Sequence, residues 1–182
     1  MLVLPKRGKM KQFILLSLIF FIGNTTVSCV PEGEFAIYLP QKKIPINKIA
    51  KLQIKNKIDK LKINRIKLQE YPFISVDDLI AYSLKDHIME LKPDAYKKLY
   101  NIDIHEVFIV CVGKKPIYWG VIWSAGLSAP FTGIVIRQPL RPGEHLIKIE
   151  CGFPTDGYFK GIDLRGDKRI IDSLRKSGKL IE

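Results

Sequence analysis

Residues 106–123, EVFIVCVGKKPIYWGVIW, contain two apolar runs separated by turn-forming residues. Both runs are rich in β-branched and aromatic side chains, and Gly113-Lys114-Lys115-Pro116 stands between them. This pattern predicts a β-hairpin with a four-residue loop. Because both faces of the first run are apolar, we expect its strand to lie in the interior of the sheet.

The segments after the hairpin continue the sheet and end in a helix. GIVIRQ (133–138) and EHLIKIEC (144–151) are typical of strands, and the turn-rich PLRPG separates them. Asp167 then stands in a favoured N-cap position before KRIIDSLRKS, and Gly178 follows the last turn. The pattern predicts two more strands and a C-terminal helix.

The segments before the hairpin alternate between strand and helix signals. AIYLP, from Ala36, predicts a strand that ends at Pro40. Ser75 and Asp78 have capping-box spacing, which predicts a helix over 76–84. HIMEL (87–91) predicts a short strand, and Pro93 a second helix start. This order predicts an α+β fold, a mainly antiparallel sheet with two or three helices packed on it.

Residues 41–69 carry two competing patterns. Apolar and polar residues alternate in KLQIK (51–55) and INRIKLQ (63–69), which favours two short strands. Ile54, Ile58 and Leu61 would instead suit one face of a helix. We expect the two strands.

The first 28 residues have the pattern of a signal peptide. Basic residues precede the apolar run FILLSLIFFI (13–22), and small polar residues follow it. The exit resembles the lipobox of bacterial lipoproteins, in which Cys29 is the first mature residue. Val27 and Ser28 fit that pattern, whereas Thr26 replaces the usual leucine. We therefore expect 1–28 as signal peptide, 29–35 as a tether after a lipidated Cys29, and 36–182 as a single domain. The alternative is an ordinary signal peptide cleaved between Val27 and Pro31.

A lipidated Cys29 predicts an extracytoplasmic protein anchored in the membrane, in the periplasm or at the cell surface. Loss of the signal peptide removes four of the positive charges behind the formal net charge of +12. Residues 41–67 contain ten Lys or Arg and only Asp59 as an acid. A functional interpretation is contact with anionic lipid or an acidic surface polymer, beside an unidentified protein partner. The favoured interpretation is a solvated surface, because charge runs usually are solvated faces. Nucleic acid is not an expected partner of an exported protein.

Two cysteines remain once Cys29 is acylated. Cys111 and Cys151 both lie in predicted strands. An even number in an oxidising compartment is compatible with a disulfide. Two buried free thiols are the alternative, because a free cysteine behaves as a small core hydrophobe.

The sequence contains no constellation that predicts catalysis. It lacks the HExxH and Cys/His metal spacings, the G-x-S-x-G elbow and the phosphate-binding glycine loop, so we expect no metal and no cofactor. His87, His105 and His145 are expected in turns or on the surface.

The small, glycine-bearing loop 124–133 is the predicted ligand-binding region. A ligand surface is expected there, with the residues Tyr118, Trp123, Ser124, Ser128 and Phe131. For the aromatic stripe of Trp119 and Trp123, core packing is the favoured interpretation, since an aromatic stripe with aliphatic neighbours is usually buried.

PFISVDDLIAY (72–82), HIMELKPDAYKKL (87–99) and VFIVCVGKKPIYWGVIWSAGLSAPFTGIVI (107–136) resemble a group of uncharacterised bacterial exported proteins. Residues 72–136 are also distantly similar to the periplasmic head of the SecD protein-export subunit. Leu91-Lys92 replaces the Leu-Thr of that head, and Val112-Gly113-Lys114 replaces its Val-Asp-Gly. SecD's transmembrane helices have no counterpart, so the resemblance implies a fold and a binding role but neither translocation nor catalytic residues.

These observations predict a non-catalytic binding or interaction domain of the cell envelope. The alternative is a hydrolase-like envelope enzyme that acts on a surface polymer. A deep cleft with His87 or His105 beside a carboxylate would favour the enzyme. A flat sheet face with Trp119 and Trp123 buried would favour the binding domain.

Overall fold

A computed structural model describes residues 33–55, 57, 61–124, 126 and 129–182. Its regular elements, in chain order, are β1 Phe35–Tyr38, α1 Ile46–Ile54, β2 Ile74–Ser75, β3 Leu79–Ser83, β4 Ile88–Leu91, α2 Pro93–Tyr100, β5 Val107–Val112, β6 Lys115–Ser124, β7 Phe131–Gln138, β8 Leu146–Phe153, α3 Lys168–Lys176 and β9 Leu180–Ile181. The predicted α+β fold is confirmed: helices accompany one mainly antiparallel sheet.

The sheet has the strand order β2-β1-β5-β6-β7-β8-β4-β3-β9. Only the β6/β7 and β3/β9 pairs are parallel. The edge strands β2 and β9 contain two residues each. The sheet curls, since the rings of Phe35 on β1 and Tyr82 on β3 are 6.4 Å apart although five strands separate β1 from β3.

Both faces of the central strands are covered. On the inner face, Leu99 of α2 and Leu174 of α3 are fully buried in the larger apolar cluster. On the outer face, Ile49 of α1 lies in a second cluster with Val107 and Ile109. This two-sided burial explains the apolar character of both faces of β5, and the predicted interior position of that strand is confirmed.

The central hairpin is tighter than predicted. Gly113 and Lys114 form a two-residue turn with φ of 55° and 58°. Lys115 and Pro116 already belong to β6 and pair with Val112 and Cys111. Two successive left-handed residues match the twist of the flanking strands, so the predicted four-residue loop is wrong.

The helix predicted over 76–84 is wrong. Val76–Asp78 forms only one 3-10 turn, and the chain continues as β3. The cap itself forms, since Asp78 accepts hydrogen bonds from the backbone N–H of Ser75 (2.9 Å) and from its hydroxyl (3.1 Å). The following residues pair with β4 instead of extending the turn.

The strands predicted within 41–69 are also wrong. Residues 46–54 form α1, and its apolar side chains follow helical spacing from Ile46 through Ile49 to Leu52. Residues 63–65 form a 3-10 turn, and Leu68 makes only an isolated bridge with Pro40. Ile58 lies outside the described residues. Alternation over five residues did not outweigh the packing of Ile49 against the sheet.

The remaining predicted elements are confirmed, and two short strands, β2 and β9, were missed. β1, β4, α2, β7 and β8 form where the sequence predicts them, although β1 begins at Phe35, the last residue assigned to the tether. Asp167 caps α3 through Arg169 N–H at 2.9 Å, and Gly178 has a φ of 66° beyond its end. After Gly178 the chain adds β9, whose two residues were too short to predict.

Candidate functional site

A basic groove of about 700 Å³ lies between the start of α1 and residues 61–67. We define the basic groove by its lining residues. Its cationic side chains, all exposed, belong to Lys42, Lys43, Lys48, Lys62, Arg65 and Lys67. Its apolar floor consists of Ile44, Pro45, Leu52, Leu61 and Ile66. The remaining lining residue is Gln41, so none of them is acidic.

Within the described ranges, one of the six cations of the groove has acidic partners. Lys43 Nζ forms ion pairs with Glu106 (2.6 Å) and Asp103 (3.2 Å), and these hydrogen bonds raise the pKa of Lys43. Among the described residues, the other five cations form no ion pair. A concave surface with like charges at its rim concentrates counter-ions of opposite sign.

The local fold explains why lysines and apolar side chains share one groove. α1 directs Ile49 into the outer cluster, which leaves Lys48 at the surface. Leu61 and Ile66, from the segment that packs on β6, belong to or pack against the same cluster. The apolar floor of the groove is therefore the solvent-facing side of the outer cluster. The rim of the groove consists of the polar residues that lie between these apolar residues in the sequence.

The predicted ligand surface at 124–133 does not form as one surface. Tyr118 is buried on the inner face, whereas Trp123 and Phe131 are buried on the outer face. Ser124 is half-buried and accepts a hydrogen bond from Gly126 N–H at 3.2 Å. Ser128 lies outside the described residues. Since the aromatic members are 1–5 % exposed, core packing accounts for them.

Trp123 is the centre of an aromatic cluster within the outer core. Its ring stacks on Phe131 with centroids 5.1 Å apart and meets the edge of His105 at 5.0 Å. Trp119, also on this face, is only half-buried. His105 thus packs against an aromatic ring rather than facing a cleft, and burial lowers its pKa.

The structure has Cys111 and Cys151 as free, buried thiols. They lie on opposite faces of the sheet, in strands separated by β6 and β7. At roughly 4.8 Å per strand, the two are about 14 Å apart, beyond the reach of a disulfide. Burial raises the pKa of Cys111 to about 12 and that of Cys151 to about 11, so both are protonated at neutral pH. Cys29 lies outside the described residues.

A second, polar cavity of about 320 Å³ lies at the turn between β3 and β4, against β8. Its walls include Asp86, His87, Cys151 and Arg165. His87 has a φ of 53°, and its Nδ1 lies 3.0 Å from the hydroxyl of Tyr82. Burial, and then the charge of Arg165, lower the pKa of His87, so its ring is neutral at pH 7.

Arg165 is held rigidly at the wall of this polar cavity. Its guanidinium donates to both carboxylate oxygens of Asp163, at 2.9 and 2.7 Å, and to the carbonyl of Ile149 at 2.7 Å. The side chain of Arg165 is 14 % exposed and that of Asp163 is 43 % exposed. The hydrogen bonds from Arg165 lower the pKa of Asp163 to about 2.

We expect Asp163→Asn to make the free energy of unfolding less dependent on pH in the acid range. The folded pKa of Asp163 lies below its usual value of 3.8, so its contribution is complete above about pH 4 and lost as the pH falls towards 2. With screening by solvent, that contribution is about 1 kcal/mol. Urea unfolding between pH 2 and 7 measures it.

Asp94→Asn is the matched control, because Asp94 forms an exposed ion pair with Lys97 at 3.1 Å. Such pairs contribute only a few tenths of a kcal/mol. If the Asp163 and Asp94 variants give parallel pH profiles, the Asp163–Arg165 pair does not stabilise the fold as described.

Sequence reasoning considered residues 41–67 as a contact for anionic lipid or an acidic polymer, but did not predict that they line a groove. It missed the polar cavity, whose lining comes from four separate parts of the chain: 85–87, Arg137, 148–156 and Arg165. In the parts of the chain that the structure describes, no group of three or more metal-ligating side chains comes together.

Comparison of the chain with protein-family models, with curated proteins and with solved structures finds no match in any of the three. Within the described ranges, no helix has both the length and the apolar composition needed to cross a bilayer. The assignment of a function therefore depends on the geometry of the two concavities.

Proposed function

We propose that this chain is an exported, lipid-anchored, non-catalytic binding domain of the cell envelope that binds anionic lipid through the basic groove. The observation that carries the proposal is the groove itself: six cationic side chains surround an apolar floor, and none of the described residues that line it is acidic. The signal-like N-terminus and the lipobox-like exit at Cys29 supply the expected location.

The apolar floor favours lipid over a soluble polymer. A polyanion needs only the cationic rim, whereas a lipid also presents hydrocarbon next to its head group. Ile44 and Leu61 lie at the floor with about a tenth of their surface accessible, and Leu52 is half-buried. Basic residues near an anionic membrane surface contribute about 1 kcal/mol each.

The double variant Lys62→Glu/Arg65→Glu tests the proposal. The assay is co-sedimentation with phosphatidylglycerol vesicles, using exported protein that carries Cys29→Ser and therefore no acyl chain. Loss of two basic residues should weaken binding at least about thirtyfold. Binding by the unaltered groove should fall as salt rises, because the charges are exposed.

Lys114→Glu/Lys115→Glu is the matched control. Both lysines are exposed at the turn of the central hairpin, outside the groove, and the net charge changes equally. If this control weakens binding as much as the groove variant, only the net charge matters. Binding to heparin without binding to vesicles would replace lipid by an acidic surface polymer.

The anchor is tested separately by the intact mass of the protein isolated from its native membrane. A triacylated or diacylated mass beginning at Cys29 is expected. An unmodified chain that begins elsewhere contradicts the anchor, and the vesicle assay then stands alone.

A hydrolase-like envelope enzyme is the second candidate, and the polar cavity is the observation that favours it. His87 lines this cavity together with Asp86, and in the tautomer whose Nδ1–H donates to the Tyr82 hydroxyl its Nε2 is able to accept a proton. His87→Gln should abolish release of soluble fragments from cell-wall polymer. If the unaltered protein releases none, the enzyme proposal fails. Of the two tryptophans whose burial was expected of the binding domain, Trp123 is buried and Trp119 is half-buried.

A further inference from the structure

An apolar cleft of about 290 Å³ adjoins the basic groove. It lies between the 3-10 turn at 63–65, strands β6 and β7, and residues 159–164. Its walls include Ile63, Ile117, Trp119, Ile134, Phe159 and Ile162, and no charged residue is among the described residues that line it. Ile162 is 75 % exposed, so a large aliphatic side chain is in contact with solvent at this cleft. Covering it with a ligand would remove apolar surface from water.

The apolar cleft and the basic groove share a wall. Leu61 lines both, and the next two residues divide between them: Lys62 lines the groove and Ile63 lines the cleft. Consecutive residues of one segment thus line the cationic rim of the groove and the uncharged cleft. A charge placed at Lys62 would have hydrocarbon-lined space immediately beside it.

We infer that the groove and the cleft form one site for a single-chain anionic amphiphile, with a carboxylate or phosphate head in the groove and the alkyl chain in the cleft. The inference rests on the proposed function and specifies its ligand. An alkyl chain needs no hydrogen-bond partner, which matches walls of aliphatic and aromatic side chains. The cations at the rim match the head group.

Binding of octanoate, decanoate and dodecanoate, below their micelle concentrations, tests the inference. The fluorescence of Trp119 reports occupancy of the cleft, because Trp119 lines it and is half-buried. Affinity should rise about fourfold for each added methylene until the cleft is full. Acetate, which is a head group alone, should give no saturable change.

Ile162→Asp should weaken decanoate binding at least about tenfold, because it places a carboxylate at the cleft that receives the alkyl chain. Because Ile162 is exposed, this change should not unfold the protein. Leu140→Asp is the matched control: Leu140 is 68 % exposed and lies outside the basic groove and the apolar cleft. It should leave decanoate affinity unchanged.

The outcomes separate the two proposals. If the protein binds vesicles but its affinity for alkanoates does not depend on their chain length, the shared site is overturned and the proposed function is unaffected. Decanol binding as tightly as decanoate, unaffected by Lys62→Glu/Arg65→Glu, makes the cleft an apolar site unrelated to the groove and also overturns the inference. If neither vesicles nor alkanoates bind, both proposals fail.

Discussion

Replacing Gly120 with alanine is expected to lower the free energy of unfolding by about 3 kcal/mol. A Cβ at this position would lie 2.3 Å from Phe108 Cζ and 2.6 Å from the carbonyl oxygen of Ile134. Phe108 is the cross-strand partner of Gly120, and its ring occupies the space that a side chain would take. The backbone oxygen belongs to the adjacent strand β7 and has no rotamer into which to withdraw.

Equilibrium unfolding in urea measures the effect, and Gly166→Ala is the matched control, because a Cβ there meets no atom within 4 Å. The control should change stability by less than about 0.5 kcal/mol. Phe108→Leu removes the ring contact but not the carbonyl contact, so we expect it to recover only part of the loss in the double variant. Full tolerance of Gly120→Ala would contradict the packing described for β5, β6 and β7.

Ser173→Ala is expected to destabilise the fold by about 2 kcal/mol, because it removes the hydrogen-bond partner of a buried backbone group. The N–H of Phe35 donates to Ser173 Oγ at 2.7 Å, and Phe35 is 0 % exposed. This bond ties β1, near one edge of the sheet, to α3 at the other end of the chain. Thermal unfolding and hydrogen exchange of the Phe35 amide measure the loss.

Ser177→Ala is the comparison within the same helix. The Ser177 hydroxyl donates to the Ser173 carbonyl at 2.9 Å in a partly buried setting, so water is able to replace it. We expect a cost of about 0.5 kcal/mol and unchanged exchange at Phe35. Equal effects of the two substitutions would show that the buried amide is not the determinant.

The elements predicted correctly are those whose signals are local and agree with one another. α3 has a capping aspartate, an apolar stripe and a terminal glycine, and each of these forms the contact expected of it. The hairpin has two long β-branched runs, and only its loop length was wrong. In both cases the neighbouring elements reinforce what the local sequence prefers.

The errors arose where a local signal was real but tertiary pairing decided the outcome. Ser75 and Asp78 do form the predicted cap, yet Leu79–Ser83 then pairs with β4 on one side and β9 on the other. A two-residue strand near the C terminus was not visible from the sequence. Without it, the competition between helix and strand at Leu79–Ser83 could not be judged.

The candidate sites were the least predictable part. The lysines of residues 41–67 were visible, but their arrangement around Leu61 depends on how this segment packs against β6. Core packing was the favoured interpretation for Trp123, yet Trp123 and Phe131 were also named as ligand-surface candidates, because strand alternation does not reveal which face another layer covers. Both faces of this sheet are covered, and so these residues became core.

The two ends of the sheet bear on how the molecule behaves at high concentration. β2 and β9 are two residues long, and each exposes only a minimal row of unpaired backbone groups. An incoming strand would find too few donors and acceptors in register to hold it. A nine-stranded sheet with longer edge strands could pair with strands of other molecules and grow into fibrils. These short edge strands should keep concentrated protein from such assembly.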